Sequence, residues 1–101
     1  MWLYVMFDLP VRTKSQRKAA TRFRHFLLDQ GFEMAQFSVY LRFTPGKESA
    51  ERYIARIRDN LPTAGKVHIV GITDKQYENA RIFAGESQQG SPKTPDQYVL
   101  F

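Results

Sequence analysis

Residues 2–10 read Trp-Leu-Tyr-Val-Met-Phe-Asp-Leu-Pro, and this stretch decides how the chain begins to fold. Six large apolar residues in succession are typical of a buried strand, and the pair Leu9-Pro10 stops it because proline cannot donate to a strand ladder. The strand ends on Asp8, and no acidic residue follows between Leu9 and Leu28. The sequence therefore predicts a first strand over 2–8 with one carboxylate at its end.

Strand and helix patterns continue along the chain. Thr13 and Gln16 have the spacing of a capping box, which predicts a first helix over 14–30 with Gly31 as its stop. The aromatic and β-branched residues of 32–43 predict one long second strand. A second helix that ends at Pro62 is predicted by apolar residues at helical spacing. These residues are Ala50, Tyr53, Ile54, Ile57 and Leu61. A strand over 66–72, a turn of helix at 73–76 and a short strand over 81–84 follow.

We interpret these elements as the β-α-β-β-α-β order of the ferredoxin-like α+β class, an antiparallel sheet with two helices on one face. Residues 1–84 form this domain. The Gly, Ser, Gln and Pro-rich residues 85–97 are a predicted flexible connector, and residues 98–101 are a predicted closing strand. The fold hosts many functions and does not select one.

The second face of this sheet has no helix over it and is predicted to be apolar. Alternation places Leu3, Val5 and Phe7 of the first strand beneath the helices. By the same rule, Phe37 and Val39 of the second strand lie beneath the helices and Arg42 on the uncovered face. A second copy of the chain is the economical cover, so we expect a homodimer. The predicted interface residues are Trp2, Tyr4, Met6, Tyr40, Tyr98, Val99, Leu100 and Phe101.

The last four of these residues admit three interpretations. Four consecutive large apolar residues can add a strand to the edge of the partner's sheet, which would satisfy their backbone and bury their side chains. Alternatively, the tail folds back on its own sheet or frays. The sequence leaves these choices open.

The positive charge of the chain is concentrated in its first helix. The chain has 15 Lys and Arg against 10 Asp and Glu, a net charge of +5, and six of these bases lie in the acid-free stretch. A local excess favours a nucleic-acid backbone as the partner, although a solvated helix face is the plain alternative. The candidate phosphate-binding residues are Arg12, Lys14, Arg17, Lys18 and Arg22.

The composition argues against several kinds of site and against a membrane helix. The chain has no Cys and two His, which argues against disulfides, thiolate metal sites and a multi-histidine zinc site. It has no apolar run of the ~18 residues that a membrane helix needs. We therefore expect a cytoplasmic protein with no membrane partner.

Asp8 is the candidate metal ligand. In a dimer built on the uncovered face it would lie near its symmetry mate, and two close carboxylates repel unless a cation or a shared proton intervenes. Mg²⁺, which prefers carboxylate oxygens, is the predicted cation. The alternative is that Asp8 caps the turn at Leu9-Pro10 through local hydrogen bonds.

Five short motifs occur in an order and spacing that resemble a known family. They are Met6-Phe7-Asp8-Leu9-Pro10, Phe26-Leu27-Leu28 before Gly31, Gln36-Phe37-Ser38-Val39-Tyr40, Ile72-Thr73-Asp74-Lys75-Gln76 and Gly85-Glu86. Over essentially its whole length the chain resembles the family of CRISPR-associated protein two, the small ferredoxin-like subunit of the CRISPR adaptation machinery.

The resemblance implies a homodimer bridged by C-terminal strands, placed between two dimers of the CRISPR integrase subunit. That complex captures a short duplex of invading DNA and inserts it into the CRISPR array. The resemblance also implies a magnesium-dependent endonuclease acting on RNA or DNA, with Asp8 as its catalytic metal ligand. Two functions therefore stand side by side, a DNA-binding scaffold and a phosphodiesterase. A ribonuclease toxin of similar fold that acts alone is a third.

Overall fold

The chain folds into a four-stranded antiparallel sheet with its two long helices on one side. The computed structural model describes residues 1–85. Its elements are β1 (Trp2–Asp8), α1 (Lys14–Asp29), β2 (Glu33–Gln36), β3 (Val39–Phe43), α2 (Lys47–Arg58), β4 (Lys66–Ile72) and α3 (Asp74–Glu78). The sheet order is β2-β3-β1-β4. This order, with β-α-β-β-α-β for the first six elements, confirms the predicted ferredoxin-like α+β class. The predicted connector beyond residue 85 and the predicted strand over 98–101 lie outside the described residues.

The second predicted strand is two strands. Residues 32–43 form the hairpin β2–β3, with Phe37 and Ser38 at its turn and a register shift between Met34 and Gln36. Side-chain alternation holds only along an unbroken strand, so the turn inverts the predicted faces after it. The assignment of Phe37 and Val39 to the helix side and of Tyr40 and Arg42 to the uncovered side is therefore wrong.

One helix boundary and one predicted strand also differ from the prediction. Helix α2 ends at Arg58, three residues before Leu61, and the backbone N–H of Asp59 caps it by donating to Ala55 and Ile57. A residue before proline disfavours the helical conformation, which explains why the helix stops short of Pro62. Residues 81–84 form no strand, because no described strand pairs with them.

The core lies between the sheet and the two long helices. Leu3, Val5 and Phe7 of β1 are buried as predicted, against Phe23 and Leu27 of α1. The Phe7 and Phe23 rings pack edge to face, with their centroids 5.2 Å apart. Each such buried side chain contributes roughly 1.5–3 kcal/mol. Within residues 1–85, no helix has the length and apolarity needed to cross a bilayer.

Both predicted capping boxes are present. Thr13 accepts from the backbone N–H of Gln16 at the start of α1, and Thr73 accepts from that of Gln76 at the start of α3. The side chain of Gln16 also accepts from the backbone N–H of Arg12 and of Thr13. The loop between β1 and α1 is therefore fixed by the first turn of the helix it enters.

Candidate functional site

The end of β1 meets the β2–β3 turn and the start of β4 at one end of the sheet. We call this end the Asp8 edge and define it by Asp8, Phe37, Ser38, Gly65 and Lys66. Asp8 stands opposite Lys66 in the β1–β4 ladder, and the Phe7 N–H donates to the Ser38 carbonyl at 3.0 Å. Three segments that are distant in sequence thus converge around one carboxylate.

The Asp8 side chain is exposed and has no polar partner among the described residues 1–85. None of the hydrogen bonds or ion pairs found among residues 1–85 involves its carboxylate. The turn-capping alternative is therefore not the observed state. A carboxylate in this state is free to bind a cation or to meet a symmetry mate.

One protomer alone supplies few metal ligands. Across residues 1–85, no group of three or more His, Cys, Asp or Glu side chains could hold an ion. Mg²⁺ usually keeps several waters and binds through one or two carboxylates, so a single free Asp8 and its mate fit such an ion. The Asp8 edge of one chain therefore offers one exposed carboxylate to such an ion, and within residues 1–85 it does not resemble a closed metal cage.

Gly65 fixes the backbone at Asp8. Its φ of +94° lies in the left-handed region, and a Cβ there would come within 2.6 Å of the Asp8 carbonyl oxygen and 2.8 Å of Leu9 Cδ2. No side chain fits at that distance, so the β4 entry packs directly on the end of β1. The sequence showed a glycine here but could not show that it lies against Asp8.

Replacing Gly65 with Ala is expected to lower the free energy of unfolding by about 1–3 kcal/mol, because the left-handed backbone and the close approach to Asp8 both disfavour a Cβ. Urea denaturation measures the change. Gly46→Ala is the matched control, since a Cβ at Gly46 meets nothing within 4 Å and its φ is extended at −175°. Equal midpoints for the two variants would contradict the account, as would unchanged amide shifts at Asp8 and Leu9 in Gly65→Ala.

The basic residues of α1 line one shallow groove. It is formed by Lys14, Arg17, Lys18, Thr21, Arg22 and His25, and we call it the basic face. No acidic residue lies in the first turn of the helix. The predicted cluster on α1 is therefore present as a continuous surface, and the structure adds His25 and Thr21 to it.

Arg17 is hydrogen-bonded to the loop that precedes its own helix. Its Nη1 donates to the carbonyls of Val11 (3.1 Å) and Arg12 (3.2 Å). Arg17 thereby holds the loop that carries Arg12. Its replacement would disturb that loop as well as the charge, so it is a poor probe of phosphate binding.

Apolar side chains of β1 and β3 share the side of the sheet that faces away from the long helices. In the β1–β3 ladder Trp2 stands opposite Phe43, Tyr4 opposite Leu41 and Met6 opposite Val39, so these six residues share one side, which we call the open face. Phe43 is exposed, and the other five are half-buried. Burial raises the pKa of Tyr4 above its ordinary value, so its hydroxyl stays neutral over a wider pH range.

Tyr40 is not part of the open face. Its side chain is 3% exposed and packs on Phe7 in the core, with ring centroids 5.7 Å apart. Its predicted place at a dimer interface is therefore wrong. Trp2 also has partners in its own chain, since it stacks on Tyr77 of α3 at 3.9 Å and meets the edge of Phe43 at 5.3 Å. Tyr4, Met6 and Leu41 are left as the centre of the open face.

Fold and surface together define the class of this chain. It is a small ferredoxin-like α+β protein with an apolar open face, a basic helical face and a free carboxylate where the first strand ends.

Comparison with known proteins specifies the family. The family model for CRISPR associated protein Cas2 matches residues 1–80. A protein of Paracidovorax avenae is 55% identical over the whole chain and 94% of its own length, and one of Flavobacterium psychrophilum is 45% identical over the whole chain and 88% of its own. A protein of Parvibaculum lavamentivorans is 41% identical over the full length of both chains. All three are named CRISPR-associated endoribonuclease Cas2. The chain therefore belongs to the Cas2 family, as its motifs indicated.

Proposed function

We propose that this protein is a nucleic-acid-binding homodimer of the CRISPR adaptation machinery, in which the basic face holds duplex DNA and the open face joins two copies. The observation that carries the proposal is the continuous groove of five basic side chains and one threonine on α1. Such a surface suits contacts to phosphates and carries no arrangement for reading bases. Membership in the Cas2 family supports the placement in adaptation, between dimers of the integrase subunit.

Phosphodiester cleavage at Asp8 is the second function we propose for the same dimer. Two observations favour it, the unengaged carboxylate at the Asp8 edge and the endoribonuclease names of the relatives. Asp8 and its symmetry mate would hold Mg²⁺, which supplies charge stabilisation at a phosphate when bound. Lys66, opposite Asp8, contributes a positive charge beside that phosphate. The scaffold role is the more general function, because it needs only the basic face and the dimer.

The third interpretation, a toxin-like ribonuclease that acts alone, is less well supported. The relatives match along the whole chain and carry CRISPR-associated names. A toxin would cleave RNA in cells without the integrase subunit. Toxicity on expression of this chain alone, abolished by Asp8→Asn, would favour that interpretation.

Reversing two charges of the basic face tests duplex binding. The double variant Lys18→Glu, Arg22→Glu is expected to weaken binding of a fluorescein-labelled DNA duplex on the order of 100-fold. It should also reduce the slope of log affinity against log salt by about 2, because two phosphate contacts are lost. Fluorescence anisotropy over a range of salt concentrations measures both quantities.

The matched control makes the same charge change on the other long helix. Arg52→Glu with Arg58→Glu alters two exposed arginines of α2 and should leave the affinity for duplex within a few fold. If both double variants lose affinity equally, net charge and not the basic face governs binding. If neither does, the duplex binds elsewhere.

A further inference from the structure

Phe37 is the most conspicuous exposed aromatic residue near the Asp8 edge. Its side chain is 84% exposed at the tip of the β2–β3 hairpin. Burial of an apolar side chain stabilises a protein, and this side chain forgoes most of that stabilisation in the isolated chain. No part of residues 1–85 covers it, and the function described so far does not use it.

The turn that presents Phe37 is strained. Ser38 has φ of 63°, and it is the one residue other than glycine within 1–85 that has a positive φ. Serine tolerates this region less well than glycine or asparagine. Strain of this kind clusters at functional sites, where the surrounding structure imposes it. The Ser38 carbonyl also accepts a hydrogen bond from the Phe7 N–H, which joins the turn to β1.

That hydrogen bond places Phe37 and Asp8 at the same end of the sheet. Phe7 and Ser38 are joined at 3.0 Å, and each is the direct chain neighbour of one of the two residues. With ~3.8 Å between consecutive Cα atoms, the Cα atoms of Phe37 and Asp8 lie within roughly 15 Å. A few nucleotides of single strand can cover that span. Lys66, opposite Asp8, supplies a positive charge at the same edge.

We infer that Phe37 is a stacking platform for an unpaired nucleobase, placed next to the phosphate that meets the Asp8 edge. The inference rests on the proposed action at Asp8 and adds a base-binding residue to that site. An aromatic ring stacks on any base because every base has a π-face, so the site selects unpaired strands and not a sequence. Bases within a duplex are already stacked on each other and cannot use it.

The test compares two single-stranded probes, a fluorescein-labelled oligouridylate and an abasic strand with the same number of phosphates. Phe37→Ala is expected to weaken binding of the oligouridylate by roughly 5- to 150-fold and to leave the abasic strand unaffected. Phe37→Trp should restore binding, because it keeps an aromatic face. The salt dependence should not change, since no phosphate contact is removed.

Phe83→Ala is the matched control, because Phe83 is 88% exposed and lies outside the Asp8 edge. It should bind both probes as the unaltered protein does. The inference is overturned if Phe37→Ala binds oligouridylate normally or loses both probes equally. It is also overturned if this variant weakens the homodimer, which would make the occupant of Phe37 a protein. The inference is overturned as well if Phe83→Ala loses as much affinity for the oligouridylate as Phe37→Ala does.

Failure of the inference is distinguishable from failure of the proposed function. If the unaltered protein binds duplex through Lys18 and Arg22 but does not distinguish the two single-stranded probes, the stacking platform alone is wrong. If it binds neither duplex nor single strands, the proposed function falls and the platform falls with it.

Discussion

Replacement of Asp8 by Asn is expected to abolish magnesium-dependent cleavage, with a loss of at least about 100-fold. The substitution keeps the size of the side chain and removes the charge that would hold the ion. Stabilisation of a phosphate by a bound metal is worth several kcal/mol, and each 1.4 kcal/mol is tenfold in rate. Cleavage of labelled RNA and DNA by repurified protein, with and without Mg²⁺, measures the effect.

Asp29→Asn is the matched control for this experiment. Asp29 is an exposed carboxylate at the end of α1 and should tolerate the change with no loss of activity. Isothermal titration with Mg²⁺ alone gives a second measurement, in which heat of binding should disappear in Asp8→Asn and remain in Asp29→Asn. Cleavage that persists in Asp8→Asn at the level of the unaltered protein would show that Asp8 is not the metal ligand.

The same variant separates the two proposed functions. Integration of a labelled short duplex into a CRISPR array by the integrase subunit can be followed with unaltered protein or with Asp8→Asn. Equal integration would mean that the protein acts there as a scaffold and that any cleavage is a separate activity. Failed integration, with dimer and complex intact, would mean that the Asp8 edge takes part in adaptation directly.

A charge at the centre of the open face is expected to dissociate the homodimer. Tyr4 stands opposite Leu41 in the β1–β3 ladder and opposite Val70 in the β1–β4 ladder, so both of its cross-strand partners are apolar. An uncompensated charge buried there would cost about 3 kcal/mol or more, so Tyr4→Lys should raise the dimer dissociation constant on the order of 100-fold. Sedimentation equilibrium over a range of protein concentrations measures the constant.

Leu61→Lys provides the control for that change. Leu61 is 46% exposed after the end of α2 and lies outside the open face. The variant should remain dimeric and should match Tyr4→Lys in net charge. A Tyr4→Lys protein that stays dimeric would place the interface elsewhere. Circular dichroism shows whether each variant keeps its secondary structure, so that dissociation is not confused with unfolding.

Local sequence patterns predicted most of the elements correctly. The strand over 2–8, the helix from Lys14 and the turn of helix after Thr73 were all predictable, because capping boxes and hydrophobic periodicity act within a few residues. The hairpin at Phe37 was not predictable in this way. Its turn has neither glycine nor proline, and Ser38, which has a positive φ there, is bonded to Phe7 on a different strand.

Local sequence features predicted some residues of the candidate site, and only the tertiary structure identified the others. Asp8 and the basic face were visible in the sequence, because a carboxylate after a strand and a run of bases without acids are local features. Tyr40 was misplaced because one undetected turn reverses the faces of every residue after it. Lys66, Gly65 and Phe37 were missed, since only the β1–β4 pairing and the hairpin bring them to Asp8.

By itself, the sequence determined the order of the long elements, the charge of α1 and the carboxylate at the end of β1. The tertiary structure alone decided which side chains share the open face, which carbonyls hold Arg17 and which residues surround Asp8. The physical reason is the separation along the chain of the residues that interact. Caps, periodicity and charge runs are set by neighbours in the chain, whereas strand register and the close approach of Gly65 to Asp8 are set by contacts between segments distant in sequence.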